Sequence, residues 1–516
     1  MIIVCYIKST VSLFDLKSGS DIRGTAIATA AEAVNLDAET VQKIGGAFCT
    51  WLSTKTGKTD LIVAVGHDSR LTGETLKEAL IEKFKKCGMT IYDCGLASTP
   101  AMYTMTKHAE VKADGAIMIT ASHHPKHKNG LKFFTADGGL QSGDIDEILH
   151  LAAQDLCPVG NRTLLCRKPY VEKYYAAGLV DFARTKTGEM YPLEGFKIVV
   201  DAGNGAGGFY VEHVLKPLGA STEGSQFLNP DGNFSNHAPN PEDSVAMQSI
   251  CNCVKTHNAD LGIIFDTDVD RAAIVGPNGE AVNRNALIAL ASAILLEESA
   301  EHLKTKTLHI VTDSVTSDGL TKFIEDKGGS HRRYKRGYQN VIGFAKLLNE
   351  EGIYAPLAIE TSGHAAFLEN GFLDDGAYLV TRILIKMAQL KKEDKKLLDL
   401  IAGLEKSQSE FECRIRFTDK KGFKAYGDML IKNLTEYCKT AFRLAPSTYE
   451  GVRANIDALD GWFLLRQSVH DPNMVLNIES GQADGVVKIA QIIYTYLSAF
   501  CELDMSDLEN FIIHNA

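Results

Sequence analysis

Four short stretches of this 516-residue chain carry side chains able to do chemistry. The first is Thr120-Ala121-Ser122-His123-His124-Pro125, followed by Asn129-Gly130-Leu131-Lys132. A serine beside two histidines, with a lysine nearby, suits a nucleophile with acid/base neighbours. A solvated polar loop would have the same composition. A zinc pair from His123 and His127 is disfavoured, because Pro125 between them breaks the helix that such spacing needs. The second stretch is Asp266-Thr267-Asp268-Val269-Asp270-Arg271. Three carboxylates at alternate positions repel one another unless a cation offsets them. Hard oxygens on one loop suit Mg²⁺ or Ca²⁺ and leave positions open for a phosphate oxygen. An EF-hand is excluded: its glycine position is Arg271 and its final glutamate position is Pro277. The third stretch, Glu360-Thr361-Ser362-Gly363-His364, offers a carboxylate, hydroxyls and an imidazole to sugar hydroxyls, or forms an ordinary turn. The fourth is Arg466-Gln467-Ser468-Val469-His470-Asp471-Pro472. Its guanidinium, hydroxyl and loop amides can hold a phosphate, although an arginine at a strand end equally pairs with a surface carboxylate.

Each stretch follows an apolar run, and ligand sites in α/β sheets gather at strand ends. One pattern recurs three times: apolar run, polar turn, amphipathic stretch, glycine, apolar run. It starts at residues 61–65, 196–200 and 308–311, with Gly88, Gly219 and Gly328 as the closing glycines. This is the signature of βαβ units. The last hundred residues differ. Residues 410–417 alternate, 423–440 and 485–500 have helical period, and 451–465 and 474–479 are strand-like. The expected fold is three similar α/β domains with mixed, mainly parallel sheets, then a C-terminal α+β domain. The expected spans are 1–185, 186–300, 301–408 and 409–516, each carrying one of the four stretches.

Composition narrows the function classes. Apolar residues make up 45% and charged residues 23%, which is globular. Net charge is −11, which excludes a general nucleic-acid groove but not a local cationic pocket for a small anion. The eleven cysteines show no CxxC pair, so reduced, buried thiols are expected. The start of the chain lacks a basic signal region, and the apolar run at 286–296 is too short to span a bilayer. A cytoplasmic protein without membrane or nucleic-acid partners is the expectation.

The order of the four stretches resembles the α-D-phosphohexomutases, the family of phosphomannomutase/phosphoglucomutase and phosphoglucosamine mutase. The family's phosphoserine loop T-A-S-H-N-P, then N-G-x-K, is matched by Thr120 to Pro125, Asn129, Gly130 and Lys132. Its metal loop D-G-D-G-D-R is matched at Asp266, Asp268, Asp270 and Arg271, and its sugar loop G-E-x-S-G-H at Glu360, Ser362, Gly363 and His364. Its phosphate loop R-x-S-G-T-E-P is matched only at Arg466, Ser468 and Pro472. An early D-x-R-G fits Asp21 to Gly24, with Arg23 as its arginine. The departures are His124 for asparagine, Thr267 and Val269 for glycines, Ile359 for the glycine before Glu360, and Val469, His470 and Asp471 for Gly-Thr-Glu.

The resemblance implies four domains around a central cleft and reversible phosphoryl transfer between the 1- and 6-positions of a mannose or glucose phosphate. Glucosamine phosphate is the runner-up substrate, and a non-catalytic sugar-phosphate-binding protein is the alternative. Ser122 would carry the phosphoryl group, and Mg²⁺ would sit on Asp266, Asp268, Asp270 and the Ser122 phosphate. Lys132 would act as general acid/base, with Arg23 and His123 beside it. Arg271, Glu360, Ser362, His364, Arg466, Ser468 and His470 would bind substrate. A hexose 1,6-bisphosphate would serve as activator and intermediate, in a monomer or homodimer.

Overall fold

The computed structural model describes residues 12–161, 163–167, 174–419, 422–446, 449–468 and 471–515. The chain divides into two compact units, 1–283 with 362–399, and 284–361 with 400–516.

Among the described residues, two sheets lie wholly within the first unit. The larger runs Lys17–Ser18, Asp21–Thr25, Lys128–Thr135, Gly115–Ile119, Ile62–His67, Thr90–Leu96, Leu164–Arg167. Ile62–His67 pairs in parallel with Thr90–Leu96 and Gly115–Ile119, and Thr90–Leu96 with Leu164–Arg167. Helix Gly73–Lys86 makes the crossover, and Gly88 beyond it takes a left-handed φ of 71°. Antiparallel pairs extend this parallel centre: Gly115–Ile119 with Lys128–Thr135, and that strand with Asp21–Thr25. Helix Ala38–Thr56, capped by the Asp37 side chain, packs its Ile44, Phe48 and Leu52 into the core with Phe84 and Phe133. Each such side chain contributes roughly 1.5–3 kcal/mol by leaving water.

The second sheet pairs Ile198–Asp201 in parallel with Leu261–Phe265, which then forms an antiparallel hairpin with Ala272–Val275. The carboxylate stretch is the turn of that hairpin, a closer setting than the strand end read from sequence. Ala365–Phe367 pairs antiparallel with Leu373–Asp374, and Asp375 caps helix Gly376–Lys392.

In the second unit, His309–Thr312 pairs in parallel with Ser330–Arg333 and Leu357–Ile359. The C-terminal sheet is antiparallel throughout: Arg443–Leu444, Val452–Ile456, Gly461–Gln467, Asn473–Ser480, Ser409–Phe417, Leu503–Asp504. Helices Phe423–Ala441 and Gly485–Leu497 share its apolar core through Leu430, Leu434, Ile489 and Ile493.

The expectation of reduced cysteines needs one correction. Cys87 and Cys157 are joined in a disulfide, while the other described cysteines are free. Seventy residues separate the two, a spacing from which no pairing is readable. No helix among the described residues is long and apolar enough to cross a membrane.

Candidate active site

Ser122 lies just beyond strand Gly115–Ile119, in a turn that puts it at a φ of +49°. That left-handed conformation is costly for a non-glycine residue and persists only where the surroundings enforce it. Here its amide donates to Thr120 Oγ1 at 2.8 Å. Gly130 on the neighbouring strand leaves the necessary room. A Cβ there would stand 2.3 Å from the Ile22 carbonyl oxygen and 2.8 Å from that of Thr120.

The Ser122 hydroxyl donates to Asp266 Oδ2 at 3.1 Å and accepts from Arg271 Nη2 at 2.9 Å, with His123 Nδ1 at 3.3 Å. Arg271 also bonds His123 Nδ1, and its Nε lies 3.3 Å from Asp266 Oδ2. The Arg271 charge, reinforced by burial, holds the His123 imidazole far below the usual histidine range. Burial, with Arg23 and Arg70, pushes His124 down to about 4. Arg23 donates to Asp21 Oδ2 at 2.9 Å and to the Thr120 carbonyl.

Asp266, Asp268 and Asp270 are essentially fully buried, and one oxygen of each lies within 4.8 Å of the others. Burial and the two neighbouring carboxylates raise Asp266 well above the ordinary range. Burial also acts on Asp270, but Lys132 and Arg271 outweigh it and hold that group low. Lys132 Nζ is 2.9 Å from Asp268 Oδ2 and contacts Asp270 Oδ2. Thr99 Oγ1 donates to Asp268 Oδ2 at 2.5 Å. Asp268 Oδ1 and Asp270 Oδ1 are buried without a hydrogen-bond partner. Buried carboxylate oxygens left in this way fit a hard divalent cation. Val269, between them, takes a φ of +66° although it is β-branched and fully buried, at the place where the family pattern has glycine.

His364 closes this cluster. Its Nδ1 bonds Ser362 Oγ at 2.9 Å, and its Nε2 lies 3.6 Å from Asp270 Oδ1 and 3.5 Å from Asp374 Oδ2. Gly363 takes a φ of +93°, and a Cβ there would come 2.5 Å from the Ala272 carbonyl oxygen. Glycine is required for the two segments to approach. The first unit thus gathers Arg23, Ser122, His123, Lys132, Asp266, Asp268, Asp270, Arg271, Ser362 and His364 in one connected network.

Glu360, Arg466 and Ser468 belong to the second unit. Glu360 Oε1 accepts from the Gly337 amide at 2.7 Å. The adjacent Arg336 amide donates to Glu450 Oε1 at 3.0 Å, which also accepts from Ser314 Oγ. Arg466 is 7% exposed, its Nε is 4.0 Å from that same oxygen, and burial lowers its pKa. Arg336 Nε is 3.9 Å from Asp313 Oδ2, which accepts from Thr361 Oγ1 at 2.6 Å. Ser468 Oγ accepts from the Asp471 amide at 3.2 Å. His470 lies outside the described residues. Sequence reading missed Arg70, Asp313, Arg336, Asp374 and Glu450. Asp313 sits in a polar turn after an apolar run and Asp374 carries no spacing signal, so neither stands out in the sequence.

Known proteins share the sequence and fold of this chain. The chain matches the phosphoglucomutase/phosphomannomutase α/β/α domains I, II and III over residues 16–155, 168–279 and 283–406. It is 30% identical over 461 residues to a phosphomannomutase/phosphoglucomutase of Pseudomonas syringae pv. tomato, covering 89% of this chain and 90% of that protein. A phosphoglucosamine mutase of Alkaliphilus oremlandii is 33% identical over 352 residues, covering 66% and 71%. A crystal structure of a phosphoglucomutase/phosphomannomutase family protein from Burkholderia thailandensis superposes with a TM-score of 0.74 at 25% identity, covering 95% and 97%. With three consecutive domain matches and nearly full-length likeness, the chain belongs to the phosphoglucomutase/phosphomannomutase family and is a phosphohexomutase.

Proposed function

We propose that the chain moves a phosphoryl group reversibly between the 1- and 6-positions of mannose or glucose phosphate, through phosphorylated Ser122 and a bisphosphorylated sugar. One observation carries this reading: the Ser122 hydroxyl sits between the Arg271 guanidinium and the buried Asp266 carboxylate of a three-aspartate turn. Phosphoryl transfer asks little covalent help of a protein; it needs in-line positioning and stabilisation of developing charge. Arg271 and Arg23 would supply that charge on the serine side. Arg271 would also fix His123 beside the hydroxyl. Asp266, Asp268, Asp270 and the Ser122 phosphate would hold Mg²⁺, which neutralises phosphate oxygens when bound. Lys132, whose ammonium is held by Asp268 and Asp270 beside Ser122, is the proposed proton carrier for the sugar hydroxyl. Glu360, Ser362 and His364 are proposed to bind sugar hydroxyls. Arg466 and Ser468 would hold the phosphate that is not reacting. A hexose 1,6-bisphosphate would load Ser122 at the start, and the cytoplasm is the proposed location.

Mannose and glucose differ only at C2, and the likeness to a phosphoglucosamine mutase keeps an amino sugar as the second reading. A coupled assay with mannose 1-phosphate, glucose 1-phosphate and glucosamine 6-phosphate, with Mg²⁺ and the bisphosphate, separates them. The proposal expects turnover of the first two above the third. Fastest turnover of glucosamine 6-phosphate would transfer the assignment, and isomerisation of none would refute both readings.

A further inference from the structure

The turn that carries Ser122 contains few backbone hydrogen bonds of its own, chiefly His124 amide to Ala121 carbonyl at 3.0 Å and Lys128 amide to Pro125 carbonyl at 2.9 Å. Four of its carbonyls are held by one side chain more than fifty residues earlier. Arg70 donates from Nη1 to the carbonyls of Pro125 and Lys128, both at 2.9 Å. It donates from Nη2 to those of Ser122 at 2.5 Å and His124 at 2.6 Å. The Arg70 and Asp68 side chains are both 0% exposed, with Nε 3.4 Å from Asp68 Oδ2, and Asp68 Oδ1 accepts the Arg70 amide at 2.9 Å. The Phe234 ring lies 5.4 Å from the guanidinium on a face not used by these bonds.

A guanidinium has five N–H groups in a fixed planar fork. Four of its bonds here converge on carbonyls of a single turn, one of them that of Ser122. Burying this charge is expensive, and a surface ion pair would not require it. The strained Ser122 conformation needs such enforcement.

We propose that Arg70 is a positioning residue for phosphoryl transfer: it fixes the backbone of residues 122–128 so that the Ser122 oxygen faces Arg271 and the aspartate turn. This rests on Ser122 being the phosphoryl carrier. Arg70 touches no reacting atom, so its loss acts on kcat rather than on substrate affinity. A lysine ammonium, a single point of donation, cannot span four carbonyls and does not replace it.

The test uses the full chain with Arg70→Lys and Arg70→Met. Displacement of a reacting group by about 1 Å costs on the order of 100-fold in rate. Both variants should therefore lose roughly 10–100-fold in kcat, with KM for the hexose phosphate within about threefold of wild type. Loading of Ser122 by a hexose 1,6-bisphosphate, followed by intact mass, should slow by the same factor. Arg70→Lys should unfold near the wild-type temperature yet not recover kcat. If neither variant folds, Asp68→Asn keeps the guanidinium but loosens its anchor, and should lower kcat about three- to tenfold at unchanged KM. A folded variant whose kcat stays within about twofold of wild type, or whose KM rises at constant kcat, overturns the proposal. Wild-type protein that neither turns over hexose phosphates nor accepts phosphate on Ser122 refutes the functional reading itself. Wild-type turnover with an unaffected Arg70→Lys refutes only the role of Arg70.

Discussion

The aspartate turn at 266–271 and the arginine strand end at 466–468 handle buried charge in opposite ways. In the first, three carboxylates stand together, and two cations, Lys132 and Arg271, offset them only in part. Two carboxylate oxygens keep no hydrogen-bond partner, so the turn is arranged for a cation to complete. In the second, Arg466 faces a carboxylate of the chain itself. Glu450 also takes the Ser314 hydroxyl and the Arg336 amide, the kinds of donor a phosphate would use. One region is short of positive charge before ligand arrives, and the other holds an internal anion beside its cation. The lesson is that motif identity alone does not describe a subsite; the counter-charge supplied by the rest of the fold decides how much a ligand gains there.

The largest expected effect removes the proposed phosphoryl carrier. Ser122→Ala should lower kcat by on the order of 10⁴–10⁶-fold, the usual scale for deleting a nucleophile. Residual turnover within tenfold of wild type, measured in the coupled assay, would place the carrier elsewhere.

Next comes a stability effect elsewhere in the second unit, at Glu479. Burial raises Glu479 to about 7 from an ordinary 4.5, while Trp462 Nε1 donates to it at 3.0 Å. The folded chain keeps a proton that the unfolded chain has released, so stability falls as pH rises from about 4.5 to 7 and levels off above. Glu479→Gln preserves an acceptor for Trp462 and should abolish that fall, making the variant more stable at pH 8 by about 2–4 kcal/mol. Urea unfolding at pH 5 and pH 8 checks this; equal losses of stability in both proteins would contradict it.

A smaller effect separates binding from chemistry. Arg466→Met should raise KM for the hexose phosphate roughly 10–100-fold while leaving kcat within a few-fold, as expected for loss of a charge-assisted bond to a group that does not react. A fall in kcat at constant KM would move Arg466 to the reacting phosphate. Smallest is Glu450→Gln, which keeps acceptors for Ser314 and Arg336 but removes the anion. KM should fall about two- to fivefold, with competitive inhibition by inorganic phosphate strengthened in parallel. A raised KM would show that Glu450 orients Arg466 rather than competing with the ligand.

Much of this was legible in the sequence because the chemistry sits in contiguous stretches. Ser122 to Lys132 runs through one loop into the next strand, Asp266 to Arg271 is one loop between strands, and the apolar runs before them located both. The recurring strand, turn, helix and glycine pattern matched strands Ile62–His67, Ile198–Asp201 and His309–Thr312. What escaped were partners distant in sequence. Arg70 looks like any surface arginine until four carbonyls from residues 122–128 converge on it. Glu450 and Arg466 share no motif spacing, and the Cys87–Cys157 pair has none. The antiparallel hairpin at the aspartate turn was missed because both of its strands are buried and do not alternate. Val269 was readable as a departure from glycine, but its left-handed conformation was not.

The most direct test of the central claim follows phosphate on Ser122 through one turnover. Purified protein is incubated with a hexose 1,6-bisphosphate, its intact mass and phosphopeptides are measured, and glucose 1-phosphate with Mg²⁺ is then added. The expected result is a gain of about 80 Da confined to the peptide containing Ser122. That phosphate should then exchange with the added sugar phosphate, with glucose 6-phosphate formed in the same mixture. Phosphate on another residue, or a phosphoserine that does not exchange with hexose phosphate while isomerisation proceeds, would contradict it.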